Sequence, residues 1–214
     1  MLAVFDWDGL SRSLQENLLA QTDGIAYSQV LLFGHGGRSL WPAVEGRIAN
    51  EQHPIDNFST ELASAFVEEY APNADYRVLY PADACAPPLI SLGTLAGWHR
   101  PSPFLLGINS QWGSWFAYRA LVVADTQLPT TAPLAGESPC LGCPAPCIDA
   151  CPADAVSHSA FDMTACVTHR LEDNSSCAAT CLSRTACPIG KNHQYDGEQM
   201  SYHYRLSLAT IRAW

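Results

Sequence analysis

The chain has 214 residues and a formal net charge of -10, with 11 Lys and Arg against 21 Asp and Glu and a pI near 4.9. Phosphate-binding surfaces draw on clustered basic side chains, and the basic residues here are scattered, so no nucleic-acid partner is expected. No apolar run approaches the roughly 18 residues that a membrane span needs, and the opening MLAVFDWDG lacks the basic start of an export signal, so no membrane partner and a reduced, cytoplasmic setting are expected.

In chain order, the first feature is FDWDG, with Asp6 and Asp8 just after an apolar run. It resembles the first motif of the haloacid dehalogenase phosphatases, but Leu10 stands where that motif continues with threonine, and no later lysine and acidic pair completes a site. Ser11 or Ser13 then caps a short helix through Leu14, Leu18 and Leu19, with Gly24 past its end. Gln29 to Phe33 reads as a buried strand, and GHGG from Gly34 to Gly37 as a turn. His35 in that turn, like His53 before Pro54, is more simply a surface or packing residue than a ligand.

Asp56 or Asn57 precedes a helix with Phe58, Leu62, Ala65 and Phe66 on one face. Tyr76 to Tyr80 is another strand. A turn at Pro87 and Pro88 leads to a small helix ending near Gly97, then the segment Phe104 to Ile108, then a strong strand from Trp115 to Ala124. Gly136 to Pro139 is the junction to a region poor in large aliphatics. After that region, Met200, Tyr204, Leu208 and Ile211 fall at helical spacing.

The chemistry lies in that aliphatic-poor region. CLGCPAPCIDACP places Cys140, Cys143, Cys147 and Cys151 within twelve residues, and a looser set follows at Cys166, Cys177, Cys181 and Cys187. Each set ends in Cys-Pro. A cubane cluster needs one soft anionic ligand per iron, and thiolates two or three residues apart can wrap one from a tight loop. In the bacterial two-cluster pattern the cysteine before proline binds the other cluster. That rule assigns Cys140, Cys143, Cys147 and Cys187 to one 4Fe-4S cluster and Cys151, Cys166, Cys177 and Cys181 to a second. Cys85 is left over.

Two spacings depart from the regular form: three residues separate Cys143 from Cys147 and five separate Cys181 from Cys187, where two and three are usual. Insertions in loops cost little. Structural zinc and a disulfide framework are the competing readings. Zinc commonly adds histidine, and the doubled Cys-Pro set suits iron and sulfide better. A chain this long has little need of disulfide stapling.

The run from Leu95 to Pro129, with Ala96-Gly97, Gly113-Ser114-Trp115 and a strand ending at Asp125, resembles the segment before the dicluster domain of epoxyqueuosine reductases and, more distantly, of corrinoid reductive dehalogenases. CIDACP, from Cys147 to Pro152, resembles that family's cluster motif, and the likeness covers roughly residues 75 to 190. It implies an α+β fold: a nitroreductase-like and cobalamin-processing-like domain over 1–135, a bacterial ferredoxin-like two-cluster domain over 136–192, and a helix over 193–214 that packs on the main body.

The resemblance further implies base-off cobalamin in the first domain, with flavin as second choice, and electrons that enter through the clusters. Asp83, with Cys85 two residues on, stands about where the family's general acid would fall. The family's Gly-Lys after the Ala-Gly stretch is replaced by Arg100, Pro101, Ser102 and Pro103, and only 27 residues follow Cys187, so the helical-repeat extension of the tRNA enzymes is not expected. The implied function is a reductase supplied by a redox donor protein or small reductant and acting on an unidentified small molecule. The alternative is a non-catalytic electron carrier or cofactor-handling protein with the same clusters.

Overall fold

The computed structural model describes residues 1–81 and 87–213. Asp83 and Cys85 lie outside the described residues. Two compact units make up the chain: Met1–Trp98 with Ala117–Ala135, and His99–Phe116 with the chain from Gly136 onward. The 99–116 segment, read from the sequence as part of the first domain, thus groups with the cysteine region.

The first unit is built on β1 (Leu2–Asp6), α1 (Arg12–Gln21), β2 (Gln29–Gly36), α2 (Trp41–Val44), α3 (Pro54–Tyr70), β3 (Tyr76–Tyr80), α4 (Leu89–Leu95) and β4 (Phe116–Ala124). The sheet order is β1-β2-β4-β3, which puts the two longest apolar runs in the middle. β1 pairs antiparallel with β2, from Leu2 opposite Phe33 to Asp6 opposite Gln29. β3 pairs antiparallel with β4 from Tyr76 opposite Ala124, with a bulge between Val78 and Tyr80.

Alternation along the central strands makes the core. Leu31, Phe33, Ala120, Val122 and Ala124 join Ala63 and Val67 of α3 in one cluster, while Val30, Leu32, Leu121 and Val123, pointing the other way, are buried too. Gln29 is the one polar side chain at the start of β2, and its amide is fully used. It donates to Asp6 Oδ1 and the Leu128 carbonyl, both at 2.8 Å, and accepts from Thr126 Oγ1 at 2.6 Å and Leu128 N at 2.9 Å. Satisfied in this way, a buried amide costs little and fastens the chain that follows β4.

Three local expectations are corrected. The strand β2 runs on through Gly34, His35 and Gly36, and the turn begins only at Gly37. Gly34 allows this because a Cβ there would stand 3.0 Å from the Ala117 carbonyl of β4. The helix α3 starts earlier, after His53, with Pro54 in its first turn. Its buried face is Ile55, Ser59, Ala63 and Val67, whereas Leu62 and Ala65 are exposed. The small Ser59 and Ala63 let the helix approach the sheet closely, which the bulkier row would not.

The second unit has little regular structure: α5 (Pro146–Asp149), α6 (Met163–Leu171), α7 (Leu182–Ala186) and α8 (Gly197–Arg212), with isolated bridges at Arg100–Ile108, Asn109–Gly113 and Val156–Phe161. Asp162 and Asp196 cap α6 and α8, accepting from Ala165 N at 2.9 Å and Gln199 N at 2.8 Å. The C-terminal helix α8 packs within this unit, where Met200 and Tyr204 join Trp115 and Tyr195 in one apolar cluster. Among the described residues no helix is long and apolar enough to cross a membrane.

Candidate functional site

The eight described cysteines are free thiols, so none is joined in a disulfide. They line two cavities of the second unit. Cys140, Cys143, Cys147 and Cys187 share one of about 410 Å³, and Cys151, Cys166, Cys177 and Cys181 share another of about 320 Å³.

Local structure explains the sorting. Cys140 and Cys143 stand on one turn, closed by Cys143 N donating to the Cys140 carbonyl at 3.2 Å. Ala145, left-handed at φ 53°, reverses the chain into α5, so Cys147 is buried beside them. Cys151 leaves α5 and lines the other cavity. The five-residue α7 joins the two sites: Cys181 is its N-cap and Cys187 its C-cap, and α7 packs on α5. A short helix between the two cysteines places them at opposite ends, hence at different cavities.

The Gly-Ser-Trp run of the sequence has a structural role here. Gly113 is left-handed at φ 59°, and a Cβ on it would strike the Ile189 carbonyl just after Cys187-Pro188. The Ser114 carbonyl accepts from Arg184 Nη2 at 2.6 Å, and Trp115 lies under the same guanidinium, 4.1 Å from ring centre to Cζ. Gly97, in the first unit, similarly leaves room for the Leu134 backbone.

Burial pushes the thiols of Cys140, Cys147, Cys166, Cys181 and Cys187 upward. After burial, the neighbouring thiolates of the same group add to the rise, as Cys187 does for Cys147 and Cys181 for Cys166. Three such thiols at the first cavity and two at the second resist ionising together unless a cationic body lies among them. Among the described residues, no three His, Cys, Asp or Glu side chains stand close enough to hold a single metal ion. A zinc ion would draw its thiolates to about 2.3 Å.

Sequence reasoning passed over several lining groups. Phe104 and Phe161 touch both cavities, and Arg170 and Arg184 line the second. Arg170 follows Cys166 by four residues on α6, a spacing that shares a helix face and so was open to detection. Arg184 depends on packing that has no sequence signature.

In the first unit, Asp6 is exposed and accepts from Gln29, an arrangement without the partners of a phosphoryl-transfer site. His53 is exposed at the start of α3. His35 is buried in β2, where its Nδ1 accepts from Arg119 Nε at 2.9 Å, and both line a cavity of about 280 Å³.

No family model matches the chain, and no curated protein does. Solved structures do match. The Bacillus subtilis epoxyqueuosine reductase, determined with its aspartate catalytic loop swung out of the active site, superposes with a TM-score of 0.51 at 12% identity, over 92% of this chain and 63% of that one. The fold is that of the epoxyqueuosine reductases. The Streptococcus thermophilus enzyme gives 0.51 and 12% over 89% of this chain and 62% of its own. An epoxyqueuosine reductase crystallised with an epoxyqueuosine-modified tRNA-Tyr stem loop gives 0.52 and 12% over 94% and 64%. The chain therefore spans under two thirds of the length of these relatives.

This last structure corrects the expectation of no nucleic-acid partner: a protein of this fold binds an RNA stem loop. Net charge sums the whole chain, whereas RNA loops are recognised by local stacking, shape and base-edge contacts. A total of -10 does not forbid a local RNA-binding face.

Proposed function

We propose that the protein is an iron-sulfur reductase in which two 4Fe-4S clusters relay electrons to a cofactor or substrate held by the N-terminal region. The carrying observation is the sorting of eight free thiols into two cavities of four, with Cys151 and Cys187 each crossing to the other set. When bound, such clusters supply one-electron transfer at potentials tuned by their surroundings. This chain's residues would do the rest. Eight thiolates hold the irons, Phe104, Ile108 and Phe161 keep water from the sulfurs, and backbone N–H groups point at them, as Ala145 N does at Cys143 Sγ from 3.4 Å.

In this reading residues 136–192 form the ferredoxin-like dicluster segment, supported by 99–116 and by the C-terminal helix. Asp83 is the proposed proton donor, from its place before Ala96-Gly97. The reductases of this fold make an epoxyqueuosine-bearing tRNA stem loop the first substrate to try, ahead of a free small molecule.

Anaerobic reconstitution with iron and sulfide tests the centre of the proposal. About eight irons and eight acid-labile sulfides per chain are expected from two cubanes. Zinc without sulfide would overturn it. The loaded protein should then be mixed with cobalamin, with flavin and with the modified stem loop. Retention through gel filtration identifies the recipient, and Asp83→Asn should abolish reduction of that recipient without altering the iron content. A loaded protein that reduces nothing would instead be an electron carrier.

A further inference from the structure

The two cysteine cavities differ in fixed charge. Among the described residues no Arg, Lys, Asp or Glu lines the first, whereas Arg170 and Arg184 both line the second. Both are buried, 8% and 7% exposed. Their donors reach neutral groups: Arg170 donates to the Cys177 carbonyl at 3.3 Å, Ser207 Oγ at 3.1 Å and the Tyr204 carbonyl at 3.0 Å. Arg184 donates to Ser114 Oγ and to the Ser114 carbonyl, at 3.4 and 2.6 Å. Among the described residues no carboxylate pairs with either.

A buried guanidinium needs a countercharge. The thiolate set of the second cavity can supply it, since Arg170 is on the helix of Cys166, Arg184 follows Cys181 on α7, and both arginines line that cavity. Nor can Arg184 swing away. It lies over Trp115 at 4.1 Å and Tyr195 at 5.0 Å while Ser114 holds its nitrogens. Hydrogen bonds to sulfur occur at both cavities, so they do not separate the sites; the two cations do.

We infer that the second cysteine set holds its cluster at the more positive reduction potential, with Arg170 and Arg184 as the residues that set the difference. Adding an electron makes a thiolate-ligated cluster more negative, and a nearby desolvated cation stabilises that form. Electrons entering the pair therefore collect at the second site. The inference rests on the proposed function, because it presupposes clusters in both cavities.

The test is a dithionite titration of the reconstituted full chain against redox mediators, with each one-electron couple followed by electron paramagnetic resonance. Two couples are expected, and Cys166→Ser should remove the more positive one. Arg184→Met and Arg170→Met should each move that couple negative by at least tenfold in the reduced-to-oxidised ratio, about 59 mV for one electron, and leave the other in place. Arg184→Lys should keep more than half of the wild-type separation.

Coincident couples in the wild type, loss of the more negative couple in Cys166→Ser, or equal movement of both couples in the Met variants would each overturn the inference. The wild-type and Cys166→Ser titrations decide it even if the Met variants do not fold. A chain that binds no iron and sulfide at all sinks the proposed function itself. Two clusters with the wrong order of potentials sink only this assignment.

Discussion

The two units are held together by different means. The first buries its own side chains: strands β2 and β4 are apolar on both faces and are sealed by α3 and by neighbours such as Leu18 and Leu92. The second has few large aliphatics, and Cys147 and Cys187 are members of its main buried cluster, with Cys140 and Cys151 packed against it. The first unit fills its core with its own apolar side chains, and the second arranges four cysteines around each of two cavities. In the proposed function those cysteines are ligands, and a core built of ligands makes folding depend on the thing ligated.

Removing the proposed clusters should have the largest effect. Stripping iron and sulfide with a chelator should cost the second unit most of its amide-exchange protection while β2 and β4 keep theirs. Equal loss in both units would break the contrast. The reverse experiment is Leu31→Ala, which should destabilise the first unit by about 2–5 kcal/mol in urea titration. Iron per folded chain should be unchanged, and a fall in it would mean that the units share one core.

Single ligands sharpen the second half of the comparison. Cys187→Ser and Cys181→Ser should each lower bound iron and sulfide by about half. Their losses should complement one another, with the first sparing the Cys166 site and the second sparing the Cys140 site. Loss of the same site in both variants would undo the crossed assignment. Smaller again is Asp162→Ala, which removes the α6 cap and should cost about 1 kcal/mol, read as a lower thermal midpoint of the second unit alone. The least effect belongs to Arg12→Ala, since its pair with Glu16 at 2.9 Å is almost fully exposed. Chemical denaturation should register no more than about 0.5 kcal/mol there.

Where sequence periodicity was strong it located elements well. β3 begins and ends at Tyr76 and Tyr80 as read, Ser11 caps α1, and β4 begins one residue after Trp115. Bulk misled at α3, because Phe58 and Leu62 look like a core face while close approach to the sheet favours Ser59 and Ala63. Glycines misled at Gly34 to Gly36, where they serve strand packing against β4 rather than a turn. The cysteines could be grouped from spacing and the following proline, since ligand loops are local. Arg184 could not be read, because its place depends on Ser114 and Trp115, seventy residues away in sequence at the first of them.

The sequence by itself determined the strands β2 to β4, the helices α1, α3, α4 and α8, and the spacing that proposes eight cysteines as two sets of four, because these follow from short-range period, turn chemistry and the reach of a few residues of chain. Only the tertiary structure decided which face of α3 is buried, that residues 99–116 group with the cysteine unit, and that, among the described residues, two buried arginines attend one cavity and none the other. Those outcomes depend on contacts between segments far apart in the chain. Close packing and the satisfaction of buried charge select such contacts, and neither leaves a local pattern in the sequence.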